Sequence, residues 1–255
     1  MTFPETGREP AAERVALSVR RAGDDVPAVA WLPASSAPPT AIVLIGHGDG
    51  MHKEAPFVTR LAERLAGHLG YAAVAIDAPH HGDRVPAEEK GLSAIERRQR
   101  LGLAAWRQRN TEATAQAVAD WQAAIDAVQR LDAVPDVPVG YFGLSMGTRH
   151  GIPLAAAEPR ITAAVFGLFG HPADDEESPF ARAAARLTIP VLFLLQWDDE
   201  LFPRTDGLAL FDRLGTRSKT LHANPGSHLQ VPPAEIAQAV QFLRQHLTPR
   251  TNQPR

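Results

Sequence analysis

Short apolar runs recur along the chain, and between them apolar residues return every three or four positions. The runs are residues 41–45 (AIVLI), 72–76 (AAVAI), 137–142 (VPVGYF), 163–168 (AAVFGL) and 191–195 (VLFLL). They do not alternate with polar residues, so each reads as a strand buried on both faces. Pro138 cannot donate to a sheet ladder, which moves the regular part of the third run to Val139 onward. Phe57, Val58, Leu61, Leu65 and Leu69 share one helical face, predicting a helix over residues 56–68. Pro56 suits its first turn and Gly70 lies just past its end. Val118, Trp121, Ile125 and Val128 predict a second helix over 111–130, with Asn110 as its cap. Further helices are expected over 145–157, 204–214 and 233–246, the last marked by Ile236, Val240, Leu243 and Leu247.

Two segments flank this pattern. Residues 14–20 (RVALSVR) alternate at period two and pair as a hairpin with residues 28–32 (AVAWL), while 219–223 form a short final strand. Alternating strands and helices imply right-handed crossovers. The expected architecture is α/β: a mostly parallel central sheet of about eight strands with helices on both faces. Residues 77–110 are longer than a normal connection. They are expected to rise above the sheet as a lid-like insertion at 84–109, with at most short helices between 92 and 106. The chain divides into an N-terminal arm (1–10), one domain (11–248) and a tail (249–255).

Composition narrows the function classes. The chain has 255 residues, of which 44% are hydrophobic and 22% charged, enough for one sizeable core. A net charge of −3 favours no polyanionic partner. The basic stretch RRQRLGLAAWRQR (97–109) reads as a solvated helix face, so no nucleic-acid partner is expected. There is no cysteine, which excludes disulfides, thiolate metal sites and a thiol nucleophile. The polar first residues lack the apolar run of a signal peptide, and no stretch has 18 uninterrupted apolar residues. The expectation is a cytoplasmic protein, monomer or homodimer, with no membrane partner.

The sharpest local signal is GLSMG at 143–147, between a strand and a helix. A serine on such a tight turn is lifted above the sheet edge as a nucleophile. The turn also sets the Met146 amide at a helix N-terminus, where unpaired N–H groups point outward and an oxyanion can be held. A serine hydroxyl needs a base. His228, in the loop NPGSHL (224–229) after the last strand, supplies it. An aspartate between them in the chain would orient the histidine. Asp198 and Asp199 follow the run 191–195, and Asp174 and Asp175 follow the preceding one; the residue pattern alone leaves these four open.

Five segments carry a family resemblance: IGHG at 45–48, DAPHHG at 77–82, GLSMG at 143–147, DDELFP at 198–203 and GSH at 226–228. Through them, nearly the whole chain resembles the α/β-hydrolase family, and within it the small dienelactone-hydrolase-like esterases. That resemblance implies Asp199, four residues before Pro203, as the triad acid, and the Asp49 amide as the second oxyanion donor beside Met146. It implies a structural role for His81 and a bracing role for His47. The family segment usually reads PGHG, so His80 stands where glycine is usual. Dienelactone hydrolases proper use a cysteine nucleophile; here Ser145 takes that position, which bars direct transfer of their activity.

His80, His171 and Trp106 are candidates for the substrate side. The spacing of His80, His81 and Asp83 lacks a metal-ligand pattern, so no metal and no cofactor are expected. The acidic run 174–177 reads as solvated surface. The function implied is a serine hydrolase, foremost a carboxylesterase on small to medium esters. A thioesterase, an amidase or peptidase and a C–C bond hydrolase share this constellation. A non-catalytic binding protein on the same fold is the alternative from another class.

Overall fold

The computed structural model describes residues 12–21 and 23–248. The arm and the tail inferred from the sequence lie outside them. The strands are β1 (Ala12–Arg21), β2 (Asp24–Pro33), β3 (Ile42–Gly46), β4 (Ala72–Ile76), β5 (Val139–Gly143), β6 (Ile161–Gly167), β7 (Val191–Gln196) and β8 (Lys219–Asn224). They form one sheet in the order β1-β2-β4-β3-β5-β6-β7-β8. The β1–β2 hairpin joins β4 antiparallel, and every later pairing is parallel. The helices are α1 (Pro56–Leu69), α2 (Ala94–Leu101), α3 (Leu103–Gln129), α4 (Met146–Ala157), α5 (Pro179–Ala185), α6 (Arg204–Arg213) and α7 (Pro233–Leu247).

The unalternating apolar runs are explained by two layers of helix. Ile42, Leu44, Tyr141 and Phe193 face the core shared with α3, α4, α5 and α6. Val43, Ile45, Phe142, Leu192 and Leu194 face the other core, with α1 and α7. Successive strand residues point to opposite faces, so a strand covered on both sides must be apolar at every position. The predicted limits of α1 hold to within a residue, and Gly70 takes the left-handed conformation (φ 67°) that ends it.

The excursion after β4 differs from expectation. Residues 82–84 and 87–89 make single 3-10 turns. Helix α2 then starts at a capping box, Ser93 accepting from the Glu96 amide while Glu96 accepts from Ser93. Gly102 (φ 78°) separates it from α3, which runs unbroken for 27 residues. Asn110 therefore does not cap a helix but lies inside one, its carbonyl accepting from Thr114 Oγ1. Residues 103–110 are mostly exposed. Their leucine, alanine, arginine and glutamine favour helix without any apolar stripe. Periodicity reports a buried face, and this part of α3 has none. Arg97 is the exception in the basic stretch: it is buried, and its Nη1 donates to the His80 carbonyl at 2.9 Å. Buried Asp120 of α3 accepts from Arg21 and Arg84 at 2.6 Å each, fastening the hairpin and the excursion to the body. Among the described residues, no helix is long and apolar enough to cross a membrane.

Candidate active site

At the carboxyl end of β5 the chain turns into α4 at Ser145, with φ 58° and ψ −119°. A side chain pays strain to sit there, and such strain persists only where surrounding contacts over-determine it. Here they do. The Ser145 amide donates to Gly167 O at 2.9 Å. Thr148 Oγ1 accepts from the Gly167 amide at 2.8 Å and lies 2.9 Å from Gly143 O. Buried Tyr141 donates its hydroxyl to Gly147 O at 2.7 Å. Gly147 is needed for close approach: a Cβ there would meet Gly46 O at 2.6 Å.

His228 reaches this turn from the loop after β8. Its Nε2 lies 3.1 Å from Ser145 Oγ, and its Nδ1 lies 2.8 Å from Asp199 Oδ2. The carboxylate can only accept, so it holds the proton on Nδ1 and leaves Nε2 to accept from the serine. The Asp199 and His228 side chains are each 4% exposed, which removes water as a competitor for that bond. Asp199 Oδ1 accepts from the amides of Leu201 and Phe202 at 2.8 and 3.0 Å, fixing the carboxylate in its own turn.

The three acidic residues after β7 divide the work. Asp198 accepts from the Gly226 amide at 3.1 Å, and Glu200 accepts from the His228 amide at 2.8 Å. That backbone donor lowers the Glu200 pKa below the usual carboxylate range. Gln196 Nε2 donates to Gln230 O at 3.0 Å and lies near Ser227 O, so the histidine loop is also held from the end of β7. The part played by Glu200 was not read from the sequence; its adjacency to Asp199 was the only signal.

A cavity of about 210 Å³ opens over Ser145 and His228. Its walls include Met51, Phe57, Leu144, Leu168, Leu201 and Leu229, together with Gly46, Gly48, Asp49 and Glu200. Leu201 and Leu229 are 61% and 59% exposed and form an apolar rim. The three substrate-side candidates are not among these walls. His80 is half-buried with φ 65°, the left-handed conformation that makes glycine usual there. His171 is buried against Phe180, with Nε2 3.0 Å from Ser178 Oγ at the start of α5. Trp106 is half-buried on α3. No residue from 84–109 contributes to the walls. Residues 172–177 are exposed.

The loop after β3 is braced by His47, whose Nε2 accepts from the Ala78 amide at 3.1 Å. Burial drives the His47 pKa down from 6.5 to about 4, although its bond to Gly48 O opposes the shift. His80 falls to about 4 as well, from burial first and the Arg109 charge second. The consequence for stability has a definite sign. The unfolded chain binds protons on these histidines near pH 6.5, while the folded chain does not until about pH 4. Stability is therefore fully present above pH 6.5 and is lost as pH falls toward 4. Fully buried His47 accounts for on the order of 3 kcal/mol of that loss. Urea unfolding at pH 7 and pH 4.5 should show the drop, and His47→Gln, which keeps an acceptor for Ala78, should show less of it. An equal drop in both proteins would contradict this assignment.

Residues 26–224 match the dienelactone hydrolase family. No curated protein is similar enough in sequence to count as a match. Among solved structures, a cold-adapted esterase from an Arctic intertidal metagenomic library is 37% identical, with a TM-score of 0.75, covering 97% of this chain and 100% of its own. A dienelactone hydrolase from Anabaena variabilis is 25% identical, with a TM-score of 0.67, covering 92% and 99%. Est1E from Butyrivibrio proteoclasticus, 18% identical with a TM-score of 0.66 over 91% and 99%, shares the fold. With these matches beside an ordered Ser145–His228–Asp199 triad, the chain belongs to the dienelactone hydrolase family of α/β-hydrolases and is a serine hydrolase.

Proposed function

We propose that the chain is a carboxylesterase for esters with a small to medium acyl group. The observation that carries this reading is the hydrogen-bonded line from Asp199 through His228 to Ser145, which ends in a small apolar-walled cavity. Ser145 Oγ gives its proton to His228 Nε2 as it bonds to the ester carbon. The carbonyl π pair becomes an oxyanion held by the amides of Met146 and Asp49. Met146 opens α4, so no carbonyl of its own helix takes its N–H. Asp49 belongs to the cavity wall beside Ser145. Collapse of the tetrahedral adduct breaks the C–O bond, and His228 protonates the leaving alkoxide. Water then repeats the sequence on the acyl-enzyme: His228 takes its proton, and Ser145 leaves with one returned.

Size supports the acyl limit. The cavity, at about 210 Å³, is smaller than pockets that enclose drug-sized ligands, roughly 300–1,000 Å³. Its apolar walls favour an alkyl or aryl acyl group over a charged one. The esterase from the Arctic library, similar over almost the whole chain, points to the same bond type. A series of p-nitrophenyl esters from acetate through butyrate, hexanoate and decanoate to palmitate tests it. The expected kcat/KM is highest among the short members and falls steeply by decanoate. A maximum at palmitate, or faster cleavage of matched anilides, would overturn the proposal.

A further inference from the structure

We propose that His81 is a positioning residue for the oxyanion hole, acting through the side chain of Asp49. The inference rests on the reading that the Asp49 amide is an oxyanion donor. The loop that carries this amide has glycine at 46, 48 and 50, and Gly50 adopts φ 72°. Glycines let the backbone approach a substrate closely, but they give the loop little stiffness of its own. Its geometry has to be imposed from outside.

Two side-chain bonds tie the glycine-rich part of the loop, residues 47–50, to the segment after β4. One is the bond from the Ala78 amide to His47 Nε2. The other joins His81 Nε2 to Asp49 Oδ1 at 2.8 Å. The same oxygen accepts from the Gly50 amide at 2.9 Å, so one atom fixes both the turn within the loop and its link to the neighbouring segment. His81 Nδ1 lies 2.9 Å from Pro79 O; that carbonyl and the Asp49 carboxylate can only accept, so holding both takes an N–H on each ring nitrogen, and the pair of bonds then sets the ring plane. Histidine suits the place because one rigid ring can bridge a carbonyl and a carboxylate on opposite sides.

The segment holding His81 is itself anchored. Asp77 is fully buried and accepts from the Lys53 amide at 2.8 Å and from Lys53 Nζ at 2.9 Å. Lys53 Nζ also donates to Asp83 at 2.6 Å, and Arg97 holds the His80 carbonyl from α2. His81 is thus a fixed post, and Asp49 hangs from it. Burial acts to raise the Asp49 pKa, yet the bond to His81 and the charges of His81, Arg149 and Arg97 bring it below the ordinary value, which keeps the carboxylate able to accept.

The test is a double-mutant cycle on His81→Gln, Asp49→Ala and the double variant, read by kcat, KM and inhibition by phenylboronic acid. Boronic acid adds to the serine oxygen as a tetrahedral anion and so reports on oxyanion binding. Asp49→Ala leaves the backbone amide in place. Each single variant should lose kcat by roughly 10- to 100-fold, as expected for a donor displaced by about an ångström, with KM moving less than about threefold. Boronate affinity should fall in step, and the double variant should be no worse than either single one. Additive losses, with boronate affinity still falling, would overturn the role of His81 and leave the oxyanion assignment standing. Lost kcat with boronate affinity intact would overturn the oxyanion assignment and the proposal together. Wild-type kcat in either single variant would overturn the proposal. Should His81→Gln fail to fold, Asp49→Ala alone carries the same expectation and the same refutation.

Discussion

Ser145→Ala is expected to lower kcat/KM for ester hydrolysis by on the order of 10⁴- to 10⁶-fold while leaving the fold intact. The size follows from what is lost. Without Oγ there is no acyl-enzyme, and the oxyanion donors and the bound-water route retain only a small acceleration over solvent. The fold is expected to survive because the hydroxyl carries none of the strain-holding contacts. Those run through the Ser145 amide, Thr148 and Tyr141. Alanine adds no atom, and the Ser145 hydroxyl has His228 as its hydrogen-bond partner. Circular dichroism and a thermal melt close to wild type, with activity gone, is the expected pair of results. A variant retaining more than about a tenth of wild-type kcat/KM would be incompatible with a serine nucleophile at this position.

Asp199→Asn is expected to cost on the order of 10⁴-fold in kcat, against less than about tenfold for Asp198→Asn. The substituted side chain would present an amide to His228 Nδ1 and favour the wrong tautomer, with the proton on Nε2 where the serine must donate. Asp198 touches neither the imidazole nor the serine; it accepts from the Gly226 amide at 3.1 Å and steadies the loop that carries His228. A mutation there should be felt through loop mobility, with a small loss in kcat. Parallel kinetics on both variants at one pH decide the matter. Equal and mild effects would remove Asp199 from the triad.

Much of this site was legible because its parts lie at strand ends, where chain order and chemistry coincide. Ser145 follows β5, Asp199 follows β7 and His228 follows β8, each just past its strand. Choosing between Asp198 and Asp199 needed the family resemblance, since two adjacent aspartates at a strand end are equivalent in a residue pattern. Only the fold of the loop sends one carboxylate to the imidazole ring and the other to a backbone amide.

What stayed hidden has physical causes. The extension of α3 back to Leu103 lacks a buried stripe, so hydrophobic periodicity was silent although local propensity favoured helix. Helix α5 was not predicted, yet Ser178 caps it and Pro179 opens it, signals present in the sequence. The cavity walls come from loops distant in sequence, among them Met51, Leu168, Leu201 and Leu229. No local rule gathers such residues. The excursion at 84–109, expected to sit above the site, contributes none of those walls; its Arg109 pairs with Glu89 and its Arg84 with Asp120. Most of the walls come from the loops after β3, β6, β7 and β8.

The central claim, that Ser145 is the activated nucleophile of this chain, is tested most directly by covalent labelling. Wild-type protein treated with a fluorophosphonate and measured by intact mass spectrometry should gain one phosphonyl group, and peptide mapping should put it on Ser145. His228→Ala should label far more slowly, and Ser145→Ala not at all. An unlabelled wild-type protein, or an adduct that persists in Ser145→Ala, would contradict the account.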